Sequence, residues 1–392
     1  MTDQKAVDKE GRIPHYVSKE PFDAHVVETL TPEQERYYLA SHFELMWLRF
    51  KRHRLAFYSG IFLLIAYFSI LISEVLAPYN LHTRDSQSIY SPPQGIHLFH
   101  KGSFVGPFVY AQSFELNLDS LQREYVTDTS TLHRIRFFCK GDPYKFWGMF
   151  DGDRHLFCPA EEGTLFLLGT DRLGRDILSR IIYGSRISLT IGLFGIALSF
   201  VLSIIIGGIA GYYGGWIDVA VQRFIEILQS FPQIPLWMAL AAILPVTWSP
   251  ILVFFGITMI LALLEWTGLA RAVRSKLLAV REEDYGTAAR VMGAKPKRII
   301  FRHLMPSVTS HLIAAATLAI PNMILGETAL SFLGIGLRPP VTSWGVLLNE
   351  AQNINVVALY PWLILPVVPV ILVILAFNFL GDGLRDAADP YK

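Results

Sequence analysis

The chain has 392 residues, of which 52% are apolar and 17% charged, and its formal net charge is +1. This balance excludes a disordered chain, and it excludes a nucleic-acid-binding protein that relies on a basic surface. The apolar residues are concentrated in runs without Asp, Glu, Lys or Arg, at 187–217, 227–264 and 351–381. Since about 20 residues suffice to cross a bilayer, the sequence predicts an integral membrane protein.

Residues 1–54 are polar and mixed in charge, and they predict a cytoplasmic segment with a helix that begins near Thr31. Its aromatic residues suit an interfacial helix leading into the membrane, and a solvated helix packed on its own protein is the alternative. The first apolar run, 55–77, is predicted to span the membrane. By the positive-inside rule the N-terminus is predicted to be cytoplasmic, because four basic residues precede this run: Arg49, Lys51, Arg52 and Arg54.

Residues 78–168 contain no apolar run long enough to cross a bilayer, so they predict a small extracytoplasmic insert that is irregular or contains β-strands. Both cysteines of the chain, Cys139 and Cys158, lie in it. Two thiols in an oxidising compartment favour a disulfide, with free buried cysteines as the alternative. A metal site is not expected, because candidate ligands are few.

Residues 169–189 precede the second predicted span, 187–212. Apolar residues on one face predict an amphipathic helix in the outer interface, which Gly184 is expected to end. Arg175, Asp176 and Arg180 resemble a substrate-binding cluster, but capping and ion pairing are the favoured interpretation. Within the span, the spacing of Gly207 and Gly211 favours close approach of another helix.

The charge-free run 227–264 is too long for one helix, so it predicts a third and a fourth span joined near Pro245 and Pro250. Pro232 and Pro235 either break the third span and expose backbone along a pathway or are tolerated kinks. The fifth span is predicted to begin after Pro306 and the sixth to occupy 359–380. Residues 169–392 thus form a core with five of six spans, and both chain ends are cytoplasmic.

A polar segment at 271–306 separates the fourth span from the fifth. Ala288 and Ala289 are small helix formers, Gly293 permits a bend, and Pro296 permits a second short helix. Small residues on such a helix let another protein approach its backbone closely. An ordinary basic cytoplasmic loop is the alternative.

The order of residues in this segment resembles the EAA motif of ABC-importer permeases. Ala288, Ala289, Gly293 and Pro306 match the motif, whereas Thr287 and Met305 depart from it. Runs at 169–189 and from Glu327 onward are similar to those of the dipeptide, oligopeptide and nickel branch, and the resemblance covers 169–391. In that family the segment is a coupling helix that docks on a separate ATPase. The coupling residues it implies are Asp284, Tyr285, Thr287, Ala288, Ala289, Met292, Gly293, Ala294 and Pro296.

The resemblance implies an all-α membrane protein with six transmembrane helices and the type I ABC importer permease fold. It also implies a bacterial inner-membrane complex with a second permease, two ATPase subunits that hold ATP and Mg, and an extracytoplasmic solute-binding protein. The chain itself is expected to bind no cofactor and to catalyse nothing, since it contains no Gly-Lys dipeptide and hence no phosphate-binding P-loop. Alternatives are a self-contained secondary transporter or channel, or a membrane enzyme or scaffold.

Two carboxylates, Glu265 and Glu327, fall in predicted spans and are candidates for gating or for lining the pathway. An ionised side chain in the membrane costs about 2.5 to 3.5 kcal/mol on insertion scales, so each needs a partner or water. Glu265 is alternatively expected at the cytoplasmic end of the fourth span, paired with Arg271 or Arg274. The alternative for Glu327 is a buried carboxyl group with satisfied hydrogen bonds.

Overall fold

A computed structural model describes residues 42–118, 122–159, 163–245 and 247–388. The helix start predicted near Thr31 lies outside these ranges. The helices are α1 His42–Arg52, α2 Arg54–Leu71, α3 Ser73–Leu76, α4 Ile177–Tyr213, α5 Gly215–Gln229, α6 Gln233–Ala241, α7 Pro250–Val280, α8 Asp284–Val291, α9 Pro296–Arg298, α10 Met305–Phe332, α11 Trp344–Asn349, α12 Ile354–Leu359 and α13 Val367–Ala388. The strands are β1 His97–His100, β2 Ser103–Asn117, β3 Gln122–Arg134, β4 Arg136–Phe146 and β5 Phe150–Cys158.

Five helical stretches in the described part of the chain are long and apolar enough to cross a membrane. They are Arg54–Leu71, Ile177–Tyr213, Pro250–Val280, Pro296–Phe332 and Pro361–Ala388. The region of the predicted third span is instead divided between α5 and α6, neither of which is long enough alone. Pro232 and Pro235 explain the division, because proline has no amide N–H to continue the helical hydrogen bonds.

Two predicted boundaries are wrong. α4 continues through Gly184, because this glycine packs against the backbone at Ser343 and the tertiary contact outweighs its poor helix propensity. The helix after the polar segment runs on from Pro296 past Pro306 through a π-helical segment, in which Met305 N–H bonds to Ile300 O. The predicted sixth span, 359–380, falls almost entirely within the apolar stretch Pro361–Ala388, in which α13 begins at Val367.

Small residues let α4 and α7 pack closely. A Cβ atom added at Gly211 would lie 2.9 Å from Arg274 O, and one at Gly207 would collide with the backbone at Ala270. Ser203 Oγ also donates to Trp266 O across the same contact, at 2.8 Å. The predicted role of the two glycines in helix packing is therefore confirmed.

The main buried cluster joins helices from both ends of the chain. It includes Leu63 of α2, Leu189 of α4, Leu269 of α7, Ile324 of α10 and Phe377 of α13. The helices that flank the polar segment therefore share a core with α2 and α13.

The insert contains two antiparallel sheets. β1, β2 and β3 form one sheet, and β4 pairs with β5 in a separate hairpin. Cys139 on β4 and Cys158 on β5 are joined by a disulfide, with their Cα atoms 6.4 Å apart. The β-strands predicted from the sequence are present. The disulfide joins β4 and β5 near the open end of the hairpin, away from its turn.

We expect thiol labelling of the unreduced, denatured chain to modify neither Cys139 nor Cys158, and labelling after reduction to modify both. Cys139→Ser should lower the free energy of unfolding of the insert by about 3 kcal/mol, because the disulfide restricts the unfolded loop. Labelled cysteine in unreduced protein would rule out the bond.

The tip of the β4–β5 hairpin is attached to the helical core through a buried ion pair. Arg186 of α4 donates two hydrogen bonds to the carboxylate of Glu74, at 2.9 and 2.7 Å. Trp147, in the hairpin turn, donates its backbone N–H to Glu74 at 3.1 Å and its indole N–H to Leu71 O at 3.0 Å. The Arg186 guanidinium also lies 4.1 Å from the centre of the Trp147 ring, so three elements meet at one carboxylate.

Acid is expected to loosen this attachment. Burial alone would raise the pKa of Glu74, but the bonds from Arg186 and Trp147 outweigh it and hold the pKa below its ordinary value. A carboxyl group with a lowered pKa stabilises the fold above its ordinary pKa, and this contribution disappears as the pH falls through the lowered value. Hydrogen exchange in the hairpin, corrected for intrinsic rates, should therefore rise as the pH falls below the ordinary pKa of a glutamate side chain.

Glu74→Gln imitates the protonated side chain, so its hairpin should exchange rapidly already at neutral pH. Equal protection of the hairpin in the variant and the unmodified chain at pH 7 would contradict the role of Glu74.

Candidate functional site

The polar segment folds as a helix, a bend and a second helix, as predicted. α8 ends at Val291, and Gly293 follows with φ of +77°, in the left-handed region that glycine adopts without strain. Pro296 then begins α9, where the missing N–H of proline costs no helical hydrogen bond. The segment thus presents one short helix and a tight bend outside the apolar helices.

The inner face of α8 packs on its own chain. Ala289 is 1% exposed and belongs to a buried cluster with Leu277 of α7 and Leu304 of the π-helical segment. A Cβ atom at Gly286 would lie 3.0 Å from Arg281 O, so this glycine is also needed for close packing. The resemblance implies both Ala288 and Ala289 as coupling residues, but helical periodicity turns Ala289 inward and leaves only Ala288 of the pair exposed.

The outer side of α8 is exposed and carries apolar side chains together with the charged Asp284 and Arg290. Met292 is 79% exposed and Val291 83%, while Tyr285 and Ala288 lie on the same side of the helix. Val291 is not among the implied coupling residues, although its position as an apolar residue beside Met292 at the end of a polar helix indicates an exposed contact. Further implied coupling residues are exposed or half-buried around this face: Asp284, Thr287, Gly293, Ala294 and Pro296.

α8 is linked to the two long helices on either side of it. The cluster that holds Ala289 includes Val273 of α7 and Val308 of α10. The Tyr285 hydroxyl also lies 3.2 Å from Ser307 Oγ on α10. A displacement of α8 would therefore press directly on both α7 and α10.

Glu327 of α10 is fully buried and accepts hydrogen bonds from three serine hydroxyls. Ser331 and Ser343 donate to Oε1 at 2.8 and 2.7 Å, and Ser188 donates to Oε2 at 3.3 Å. Each serine oxygen in turn accepts a backbone N–H, from Leu337, Val346 and Trp344 respectively. The carboxylate thus joins α4, α10 and α11. Glu327 is a buried carboxyl group with satisfied hydrogen bonds, which was the alternative interpretation from the sequence.

Glu265 lies at the midpoint of α7 rather than at its end, and the expected pairing with Arg271 or Arg274 is wrong. Arg274 instead pairs with Asp218 of α5, because its Nε and Nη2 each donate a hydrogen bond to one oxygen of that carboxylate. Glu265 instead accepts hydrogen bonds from Gln233 and Asn322 and lines a pocket of 320 Å³. An unpaired carboxylate half-buried in a polar pocket can bind a cation or a hydrogen-bond donor.

Arg175, Asp176 and Arg180 have structural roles, as favoured from the sequence. Asp176 caps α4 by accepting the Ser179 N–H at 2.7 Å. Arg175 donates to Asp171 at 2.7 Å, and Arg180 pairs with the same carboxylate. These groups hold the start of α4 in place, and none of them faces the Glu265 pocket.

Comparison with known proteins places this fold in a family. Residues 203–391 match the family described as binding-protein-dependent transport system inner membrane component. Residues 41–93 match the N-terminal TM domain of oligopeptide transport permease C.

Three relatives show the extent of the similarity. A dipeptide transport system permease protein, DppC, of Alkalihalophilus pseudofirmus is 41% identical over 57% of this chain and 71% of its own length. The glutathione transport system permease protein GsiD of Pectobacterium atrosepticum is 40% identical over 63% and 79%. The oligopeptide transport system permease protein OppC of Haemophilus influenzae is 41% identical over 59% and 72%.

This chain covers more than two thirds of the length of each of these relatives. The family match at 203–391 contains α8 and the two long helices that flank it. The chain therefore belongs to the binding-protein-dependent transport system inner membrane component family, as a permease subunit of an ABC importer in which separate subunits hydrolyse ATP.

Proposed function

We propose that the chain is one of two permease subunits of an importer for peptides or a similar small solute, and that α8 docks on an ABC ATPase. The observation that carries the proposal is a set of exposed apolar residues on α8 and directly after it: Tyr285, Ala288, Val291 and Met292. Exposed apolar groups at the end of a well-packed helix favour a protein contact. The printed names of the relatives, which include dipeptide, oligopeptide and glutathione permeases, support the solute class.

The packing of α8 suggests how ATPase closure reaches the membrane. Force applied to the outer face of α8 passes through buried Ala289 to Leu277 on α7 and through the Tyr285–Ser307 contact to α10. Packed clusters of this kind move as rigid units rather than deforming smoothly. Closure of the ATPases would thus shift α7 and α10 together and open the pathway outward.

In the proposed topology, α5 and α6 together make a broken third crossing, so that the chain crosses the bacterial inner membrane six times. Both chain ends and the 271–306 segment are cytoplasmic, and the insert at 78–168 is extracytoplasmic. Basic residues before α2 and around α8 support this orientation by the positive-inside rule. The Cys139–Cys158 bond supports an oxidising compartment for the insert.

The proposed complex contains a second related permease, two ATPase subunits that bind ATP and Mg, and an extracytoplasmic solute-binding protein. Glu265 lines the pathway within it, because the carboxylate opens on a pocket. Glu327 instead holds α4, α10 and α11 together, because its buried carboxylate accepts hydrogen bonds from three serines on or directly before these elements.

Proteoliposomes that contain the purified complex, with the binding protein outside and nucleotide inside, test this function. We expect uptake of labelled peptide with ATP and none with a non-hydrolysable analogue. Uptake that proceeds without ATP, driven by an ion gradient, would contradict the proposal and favour a secondary transporter.

A further inference from the structure

The pocket that contains Glu265 lies where the α5–α6 break meets the middle of α7. It is lined by Leu228, Gln229 and Phe231 around the break, by Glu265 and Gly268 on α7, and by Asn322 on α10. Its volume is 320 Å³, which lies at the lower end of the range typical of small-molecule sites. The pocket thus has room for part of a peptide.

Hydrogen-bond acceptors are in excess in this pocket. The Glu265 carboxylate offers about four lone-pair positions, of which the amide groups of Gln233 and Asn322 use two. Gln229, the other glutamine in the pocket, donates to Thr267 Oγ at 3.1 Å. Among the residues that the structure describes, no Lys, Arg or His forms an ion pair with Glu265.

The break between the two short helices borders the pocket. Residue 232 is a proline, which has no amide N–H. The carbonyl group of Leu228, in the last turn of α5, therefore receives no helical hydrogen bond from residue 232, and both Leu228 and Phe231 line the pocket. A carboxylate with no ion-pair partner among the described residues, in a pocket bordered by this break, suits a cationic donor.

We propose that the Glu265 pocket binds the protonated amino group of the transported peptide as it passes through the permease. The inference rests on the proposed function, since it requires a peptide in the pathway. A primary ammonium group has three N–H donors and one positive charge, which match the remaining acceptor positions and the negative charge of the Glu265 carboxylate. A divalent metal ion fits less well, because the Glu265 carboxylate is the one negatively charged group among the described residues that line the pocket and would balance only half of the ion's double positive charge.

Gly268 provides a way to probe the charge of the pocket directly. It lies one turn beyond Glu265, is exposed, and a Cβ atom added there meets no atom within 4 Å. Both native cysteines are in the disulfide, so Gly268→Cys introduces a single free thiol in this chain. The purified complex, without binding protein, is treated with one of two methanethiosulfonate reagents. The trimethylammonium-ethyl reagent is cationic and the sulfonatoethyl reagent is anionic. The same complex without Gly268→Cys gives the background labelling.

We expect the cationic reagent to label Gly268→Cys at least about tenfold faster than the anionic one, because a cleft of one sign of charge concentrates the opposite ion. Adding Glu265→Gln should remove most of this preference, and trialanine should slow labelling where N-acetyl-trialanine does not. Equal labelling by both reagents would overturn the proposal. So would a thiol that reacts only after dissociation of the complex, because a partner subunit would then fill the pocket.

Uptake separates this proposal from the proposed function. Glu265→Gln should reduce peptide uptake by about tenfold or more, since the loss of a charged hydrogen bond is worth about one factor of ten, while Glu265→Asp should retain part of it. The matched control is Glu226→Gln, on the exposed Arg223–Glu226 pair, which does not line the pocket.

Full uptake by Glu265→Gln, with ATP-dependent uptake by the unmodified complex, would overturn the ammonium site alone. Absence of ATP-dependent uptake in the unmodified complex would instead overturn the proposed function.

Discussion

Replacing Ala288 with arginine is expected to leave the chain folded and inserted in the membrane but to release it from the ATPase subunits. Ala288 lies on the exposed face of α8 beside Tyr285 and Met292. A long charged side chain there would keep the ATPase away from the helix backbone and bury a charge in an apolar contact. A cost of about 2 kcal/mol or more corresponds to roughly a thirtyfold loss of affinity.

The measurement is the amount of ATPase that co-purifies with the tagged chain, together with peptide uptake. Ala288→Ser is the conservative control and should assemble normally. The neighbouring Ala289→Arg should fail differently, since Ala289 is buried against Leu277 and Leu304, and the chain itself should be lost from the membrane. Normal assembly and uptake by Ala288→Arg would contradict docking through this face.

Replacing Glu327 with leucine is expected to destabilise the chain itself. The hydroxyls of Ser188, Ser331 and Ser343 would lose their common acceptor in a fully buried position. Each buried donor without a partner costs about 1 to 3 kcal/mol, so the free energy of unfolding should fall by about 3 kcal/mol or more. Glu327→Gln retains one acceptor oxygen and should lose less.

Thermal unfolding of the detergent-solubilised complex measures this effect. The melting temperature should be highest for the unmodified chain, lower for Glu327→Gln and lowest for Glu327→Leu. A Glu327→Leu variant of normal thermal stability that has lost peptide uptake would show that Glu327 acts in the pathway, and our assignment of a positioning role would be wrong.

The sequence predicts what local patterns control. Charge-free runs identify the membrane segments, and Gly293 with Pro296 predicts the bend after α8, because backbone preferences act over a few residues. Pro232 and Pro235 allow the broken helix to be foreseen as one of two alternatives. These features depend little on which helices become neighbours.

The errors arise where distant contacts decide. Gly184 stays helical because Ser343, far away in the sequence, packs on it. The partner of Glu265 was misassigned because Arg274 faces Asp218 on α5. Ala289 is buried because α8 folds back on α7, and the three serines that bind Glu327 come from separate elements.

The most direct test of the account is affinity purification of the tagged chain from its native membrane, with identification of the proteins that accompany it. We predict recovery of a second permease of the same family together with P-loop ATPases, and their loss with Ala288→Arg. Recovery of the chain alone, under conditions that preserve other membrane complexes, would contradict the assignment of this chain as the membrane subunit of an ATP-driven importer.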